Sequence, residues 1–411
     1  MAVELLDICN MKILVQKYGG TSIETIEKVQ KVADSIIEKK QAGYSVVIVV
    51  SAMGKTTNQL IEMAKSVSSK PSKRELDMLM ATGEQVSISL LSIVLQEKGY
   101  KSVSLTGFQA GIKTEGIHTK NKIIEIDINR IKGYLRKGII VVVAGFQGIN
   151  DKGDITTLGR GGSDTTALAL AAKLQCPCEI YTDVDGIYGI DPKLYPKAKK
   201  LDYICYEEMM EMASLGVKIM EPRSVEIGFK YKVPVYIGSS HKNNIGTYIK
   251  EYNREMEQKV ITGLSVNDNV LMVTINRLFY SPDNVSEIFS RLASRDVNVD
   301  MISQASPNGG YVDISFTTPK EDEYIVDDVI NELIINIHDI KIQKDSDITK
   351  LSVVGIGMRN ETGVASKVFK LFAENNISFK QVTTSEISIS YTINTADKQK
   401  AINAICEAFN L

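Results

Sequence analysis

Lys17-Tyr18-Gly19-Gly20-Thr21-Ser22 follows an apolar run, Met11 to Gln16, that reads as a short buried strand. Two glycines let the backbone come close to a ligand, the helix start that follows presents unpaired N–H groups and a partial positive charge, and Lys17 adds a full one. The stretch is a seat for phosphate. Thr21-x-x-Glu24 matches the side-chain box that caps a helix, which puts the helix start at Thr21. A Lys-x-Gly-Gly turn also serves simply to redirect the chain, so the reading gains force from three further clusters of glycine, hydroxyl and charge at strand ends.

From Met11 to about Ile237 short apolar strands alternate with helical patterns, the signature of a mostly parallel sheet covered by helices on both faces. Strands are readable at Val46 to Val50, Ser102 to Leu105, Ile139 to Ala144, Cys178 to Tyr181 and Val233 to Ile237. Ile23, Ile26, Val29, Ala33 and Ile36 form one apolar helix face, and Leu76 to Glu97 a second, longer amphipathic run. The polar stretch His241 to Glu257 reads as a connector, after which the chain repeats itself. Ser286-Glu-Ile-Phe-Ser-Arg-Leu-Ala293 with Val297-Asn-Val-Asp300 aligns with Ser366-Lys-Val-Phe-Lys-Leu-Phe-Ala373 with Ile377-Ser-Phe-Lys380. Each copy has the order of a βαββαβ unit, suited to binding a small molecule or to dimerisation.

The chain's 411 residues exceed one ordinary core, so two or three domains are expected. Its 48 Lys+Arg nearly balance 50 Asp+Glu, which argues against a nucleic-acid stripe or a polybasic membrane patch. No apolar run reads as long enough to span a bilayer, and the acidic start Met1-Ala-Val-Glu-Leu-Leu-Asp7 lacks a signal-peptide pattern, so a cytoplasmic location is expected. The first ten residues form no recognisable element, which leaves Met11 as an alternative start. Five scattered cysteines and three dispersed histidines, His118, His241 and His338, argue against a disulfide framework or a metal cluster.

Ser51-Ala-Met-Gly-Lys-Thr-Thr-Asn58 contains Gly54-Lys55-Thr56, yet a P-loop needs a glycine five residues before Gly54, and Val49 stands there. What remains is either a polar turn or a ligand loop at a strand's carboxyl end. Glu84 in Ala81-Thr-Gly-Glu-Gln85 is either a solvated helix residue or an acceptor for a substrate ammonium group. Gly145-Phe-Gln-Gly148 closes another strand, and Thr156-Thr-Leu-Gly-Arg-Gly-Gly-Ser-Asp164 opens a helix that runs to Leu174. Ser163 is well placed as its N-cap and Asp164 favours its dipole, while glycines on both sides let Arg160 reach a carboxylate or phosphate. Thr182-Asp-Val-Asp-Gly-Ile-Tyr188 suits nucleotide contacts or a tight turn, and Lys218 offers a second cation. No serine, cysteine or histidine is assembled with a base. If the chain transfers a phosphoryl group to a carboxylate, that acceptor, with a side-chain pKa of about 4, is already ionised and needs none; catalysis then reduces to positioning and charge neutralisation.

With these clusters in order, the chain resembles the aspartate kinases (aspartokinases) of the amino-acid kinase superfamily over nearly everything from Lys12 onward. The markers are Lys17-Tyr-Gly-Gly-Thr-Ser22, Val50-Ser-Ala-Met-Gly54, Thr82-Gly-Glu84, Leu105-Thr-Gly-Phe-Gln-Ala-Gly111, Gly145-Phe-Gln-Gly148, Leu158-Gly-Arg-Gly-Gly-Ser-Asp164, Thr182-Asp-Val-Asp-Gly-Ile-Tyr188 and Pro222-Arg223. The resemblance implies a three-layer amino-acid-kinase fold over residues 11–250 and two ferredoxin-like ACT units over 264–345 and 346–411, with strands interchanged between them. It implies a monofunctional kinase that uses ATP and Mg²⁺ to make 4-phospho-L-aspartate from L-aspartate, the opening step toward lysine, threonine, methionine and diaminopimelate. A homodimer or homotetramer built through the ACT units, regulated by lysine or threonine or both, goes with it.

At matching positions the resemblance assigns Lys17, Asp164 and Lys218 to catalysis and Thr57, Glu84, Arg160 and Ser163 to aspartate, with Glu84 on the ammonium and Arg160 on the α-carboxylate. Lys17, Tyr18, Gly19, Gly20, Ser51, Thr182, Asp183, Tyr188, Lys193, Lys218 and Ile219 would border the nucleotide. Asp283, Asn298, Asp300, Gln304, Asn376 and Ile377 match effector positions, and no protein metal site is implied. Two departures stand out. Glu221 occupies the usual histidine position of His-Pro-Arg, adding a negative charge three residues after Lys218, and Ser281-Pro-Asp-Asn284 lacks the usual Pro-Gly pair, so Asp283 adds a side chain to the loop.

Overall fold

The computed structural model describes residues 11–217, 219–240, 245–252, 259–336 and 340–411, which form two compact units. The first unit is built on an eight-stranded sheet. In spatial order its strands are Tyr203–Cys205, Thr247–Lys250, Val235–Ser239, Cys178–Thr182, Ile13–Tyr18, Ser45–Val50, Ile140–Ala144 and Ser102–Leu105. All neighbouring pairs are parallel except Thr247–Lys250 against Val235–Ser239.

The central strands are apolar on both faces because both are covered. Val46, Ile48 and Val50 pack with Ile140, Val142 and Ala144 beneath the helices Ile26–Gln41 and Thr82–Glu97. The intervening Val47, Val49, Val141 and Val143 are also fully buried, their side chains turned to the opposite face by the two-residue period of a strand. The helix Gly162–Leu174 lies against the strands Ile13–Tyr18 and Ser45–Val50 and buries Ala167, Leu168, Leu170 and Ala171. A parallel sheet of this kind gathers its strand-to-helix turns at one edge, so the turns after Tyr18, Val50 and Ala144 come out side by side.

Several local expectations need correction. Gly20–Ile23 is a single 3₁₀ turn, and Thr25, not Thr21, caps the following helix by accepting from Lys28 N at 3.3 Å; Glu24 pairs with Lys28 instead of closing a box. Ile26, expected on the apolar face, is 47% exposed. Leu76 to Glu97 is broken at Ala81 into the helices Lys73–Met80 and Thr82–Glu97. Taken together, Lys73–Glu97 is long and apolar enough to cross a membrane by length and composition, but half of it is buried inside the protein. The strand expected at Val233 starts at Val235, because Val233 N still closes the preceding helix onto Gly228 O.

The second unit holds two four-stranded antiparallel sheets. One is a complete βαββαβ arrangement in chain order: Leu271–Phe279, the helix Pro282–Ser294, Ile302–Gln304, Tyr311–Thr318, the helix Glu323–Asn336, and Lys341–Asp345. Of the effector positions Asn298, Asp300 and Gln304, only Gln304 lies in the strand Ile302–Gln304. The other sheet contains Ile348–Val354, Phe379–Thr384 and Ser388–Asn394 with the helices Val364–Glu374 and Lys398–Phe409. It lacks a final strand of its own, and Gly263–Asn267, from before the first repeat, pairs with Ile348–Val354 in that place. Residues 188–199 also belong to this unit: Ile190 is buried with Leu264, Leu351, Ile402 and Leu411, and Gly189 O accepts from Leu264 N. The three-layer kinase fold and the ferredoxin-like pair are both present as expected.

Candidate active site

The turns at the carboxyl edge of the first unit's sheet are stitched by backbone hydrogen bonds. Ser51 N donates to Tyr18 O at 3.2 Å, Gly54 N to Gly20 O at 3.0 Å, and Gly145 N to Val50 O at 3.0 Å. Above them opens a cleft of about 220 Å³, lined by Lys17, Ser51, Thr57, Glu84, Phe146, Gly159, Arg160, Gly161, Gly162, Ser163 and Asp164. That volume is below the roughly 300 Å³ where drug-sized pockets begin, so the cleft is sized for a small ligand.

Four charged side chains define it. Lys17 leaves the end of its strand and places Nζ 2.7 Å from Asp164 Oδ1, on the first turn of the helix Gly162–Leu174. Glu84 sits in the first turn of its own helix, 2% exposed; Oε1 accepts from Ala52 N at 3.0 Å and Oε2 has no protein partner. Burial pushes its carboxyl up to about 7, with the backbone N–H groups pulling the other way. Glu84 is therefore not a solvated surface residue, and its unpartnered oxygen lies at the cleft wall, where a buried polar atom needs a hydrogen-bond donor. Arg160 remains 75% exposed and pairs through Nε with Glu221 Oε1 at 3.0 Å.

The helix start also differs from expectation. Gly161, with φ +64°, is the N-cap, and Ser163 lies inside the first turn, buried beside Gly145. Several residues expected around the nucleotide are not among those lining this cleft. The Tyr18 ring is 1% exposed and stacks on Tyr181 with centroids 5.0 Å apart, so only its backbone borders the turn. Tyr188 and Lys193 fall in the stretch that belongs to the second unit. Thr182 ends its strand and its hydroxyl donates to Asp183 at 3.0 Å, neither lining the cleft, and Ile219 is half-buried outside it. Lys218 lies outside the described residues.

Among the effector positions, Asp283, Asn298, Asp300, Gln304 and Asn376 are exposed, whereas Ile377 is buried in a core. Asp300 accepts from Lys350, whose side chain is 4% exposed.

Sequence reasoning missed Asp77. This carboxylate, 0% exposed, takes His118 Nδ1 at 2.7 Å, Thr119 N at 3.1 Å and Thr157 Oγ1 at 2.5 Å, and Thr157 directly precedes the loop that carries Arg160. Arg223 adds a second tie, donating to Asn121 O at 2.8 Å and Leu158 O at 3.3 Å. The signal available was an aspartate on the inward stripe of a helix, three residues before Met80.

A mostly parallel sheet with lysine, arginine and a helix start gathered at its carboxyl edge, followed by two ferredoxin-like sheets, has the architecture of a small-molecule kinase. Comparison with known proteins agrees: residues 12–239 match the amino acid kinase family and residues 351–409 an ACT domain. Aspartokinase 2 of Bacillus subtilis is 46% identical over 404 residues, spanning 98% of both chains. The aspartate kinase structure from Synechocystis matches with 38% identity and a TM-score of 0.55, over 97% of this chain and 69% of that one. Escherichia coli aspartokinase III, solved with aspartate and ADP, shares the fold with a TM-score of 0.79 at 22% identity, over 96% and 99% of the two chains. The chain belongs to the aspartokinases of the amino acid kinase family and is an aspartate kinase, a phosphotransferase with a carboxyl group as acceptor.

Proposed function

We propose that the chain transfers the γ-phosphoryl group of ATP to the side-chain carboxylate of L-aspartate, giving 4-phospho-L-aspartate and ADP at the head of the lysine, threonine, methionine and diaminopimelate routes. The observation that carries this is the joint presence of Lys17, Glu84, Arg160 and Asp164 on one cleft with no histidine or cysteine among its lining residues. A carboxylate oxygen forms the new bond to phosphorus, the bond from phosphorus to the β–γ bridging oxygen breaks, and its electron pair leaves with ADP. No proton has to be removed from the acceptor, whose pKa is about 4.

In this reading Glu84 Oε2 takes the aspartate ammonium and Arg160 its α-carboxylate, with Thr57 and Ser163 beside them. Lys17, the Gly19-Gly20 turn and Ser51 face the phosphates, and Lys218 joins Lys17 on the migrating charge. Asp164 holds Lys17 in place by direct contact. Mg²⁺ would enter with the nucleotide, and Asp164 is the cleft carboxylate that could help hold it. Bound, it neutralises phosphate charge. Thr182, Asp183 and Ile219 border the remainder of the nucleotide.

We assign the paired ACT units to feedback by lysine, threonine or both, within a homodimer or homotetramer. The exposure of Asp283, Asn298, Asp300, Gln304 and Asn376 supports ligand access there. Ile377, buried in its core, contributes through its backbone.

Trapping acyl phosphate as the hydroxamate with aspartate, glutamate or N-acetylglutamate as acceptor tests the reaction. Aspartate alone should give strong colour, and turnover of glutamate without aspartate would overturn the reading. An inhibition series with lysine, threonine, methionine and their pairs tests the regulatory half.

A further inference from the structure

We infer that Glu221 is an internal carboxylate that occupies Arg160 in the free enzyme and so sets the affinity for aspartate. The inference rests on Arg160 being the group that receives the substrate's α-carboxylate. Arg160 lines the cleft, but Glu221 does not, and the pair joins Arg160 Nε to Glu221 Oε1 at 3.0 Å.

The approach of Glu221 is built into the backbone. A Cβ at Gly161 would stand 2.1 Å from Glu221 Cγ and 2.6 Å from its Cβ, so the glutamate stem fills the space that any other residue at 161 would claim. Gly161 also has φ +64°, a conformation unfavourable to other residues. On its own side Glu221 is the N-cap of the helix Pro222–Tyr231, and its carbonyl accepts from Ser224 N at 2.9 Å and Ser224 Oγ at 2.7 Å. The carboxylate therefore projects from an anchored base toward a loop shaped to receive it.

Electrostatics gives the direction of the effect. Aspartate carries two carboxylates and one ammonium, hence a net negative charge, and ATP is more negative still. A glutamate 3.0 Å from Arg160 cancels much of the attraction that guanidinium offers to an incoming carboxylate. Binding of aspartate replaces one carboxylate partner by another. Because the pair is solvent-exposed, the effect is modest: about two- to fivefold in affinity.

The test is a kinetic cycle of Glu221→Gln, Arg160→Ala and the double substitution, with circular dichroism and thermal melting to confirm folding and Glu221→Ala as a second replacement. Glu221→Gln should lower the KM for aspartate about two- to fivefold, with the change in KM rather than kcat, and should have no effect once Arg160 is alanine. The gain should vanish for an acceptor whose α-carboxylate is an amide, a selectivity that a general loosening of the loop would not produce. If Arg160→Ala raises the aspartate KM but Glu221→Gln raises it too or leaves it unchanged, Glu221 orients Arg160 rather than competing for it, and the inference is overturned. If Arg160→Ala leaves the KM unchanged, the assignment of Arg160 to aspartate fails first.

Discussion

Lys17 Nζ and Asp164 Oδ1 lie 2.7 Å apart, with only 9% and 13% of their side chains exposed, so a strand end and a helix start share one charge pair at the cleft. A cation held at low exposure neutralises phosphate charge more strongly than one in water, and it needs no reorganisation during transfer. Lys17→Ala should reduce kcat by roughly 10²- to 10³-fold, the range for losing one preorganised charge donor. Asp164→Asn should retain more activity, since the lysine charge survives but its placement is relaxed. Coupled ADP-release assays on variants with native circular dichroism spectra check both, and wild-type turnover in Lys17→Ala would remove the lysine from the mechanism.

With Glu84 as the proposed partner of the aspartate ammonium, aspartate binding should depend on pH near neutrality. Desolvation pushes its carboxyl up to about 7, and only the ionised form attracts the substrate ammonium. The KM for aspartate should rise as pH falls below about 7 and level off above it, a profile that Glu84→Gln flattens at a uniformly higher KM. Stability runs in the opposite sense. A carboxyl whose folded pKa exceeds its unfolded value stabilises the fold below about 4.5, and that contribution, on the order of 3 kcal/mol, is lost as pH rises toward 7. Relative to wild type, the Glu84→Gln variant should therefore gain stability between pH 5 and about 7 in thermal melts. A constant difference across that window would contradict the assigned burial.

The strand-end turns were legible in the chain because their physics is local: a lysine ending an apolar run, glycines, and hydroxyls at a helix start. Lys17, Ser51, Thr57, Glu84, Arg160, Ser163 and Asp164 accordingly come together on one cleft. What local pattern obscured was the choice between competing short-range geometries. Thr21 and Thr25 both carry the chemistry of a cap, and the turn Gly20–Ile23, with Ser22 and Ile23 buried, moves the helix start to the second. Long-range pairing was hidden altogether. The partners of Asp77 come from 41 to 80 residues further along, and Glu221, read as a charge near Lys218, is found on Arg160. Likewise no local signal says that Gly263–Asn267 completes the sheet of the second repeat, because its partner Ile348–Val354 follows the whole first repeat.

Gly145→Ala should damage the acceptor side of the cleft without touching a charge. A Cβ there would stand 2.7 Å from Ser163 Oγ, 2.8 Å from its Cβ and 3.0 Å from its Cα, all in the first turn of a packed helix. The helix cannot retreat freely, since its inner face is filled with buried alanines and leucines. Overpacking of this kind costs about 1 to 3 kcal/mol, and the strain falls on Ser163 and its neighbours Arg160 and Asp164. The expected result is a lower melting temperature with a raised KM for aspartate. Unaltered kinetics and melting would mean that the strand and helix separate more easily than their packing implies.

Asp77 holds the Arg160 loop from below, and its removal should be felt in both stability and substrate affinity. Its oxygens accept from His118, Thr119 and Thr157 with no exposure to water, so the three donors depend on one carboxylate. Asp77→Asn puts an NH₂ group against donors and leaves at least one of them unpaired; Asp77→Ala leaves all three. An unsatisfied buried polar group costs about 1 to 3 kcal/mol, and of the three donors Thr157 is fully buried while His118 and Thr119 are partly exposed, so the alanine variant should lose roughly 3 kcal/mol and the asparagine variant roughly 2. His118→Ala deletes one donor and keeps the other two, which predicts a smaller loss. Because Thr157 leads directly into Leu158–Arg160, aspartate KM should rise in the same order as stability falls, His118→Ala least and Asp77→Ala most. Denaturant melts and initial-rate kinetics on the three variants measure both scales, and an Asp77→Asn protein as stable as wild type would show that the loop is held by Arg223 and its carbonyl partners instead.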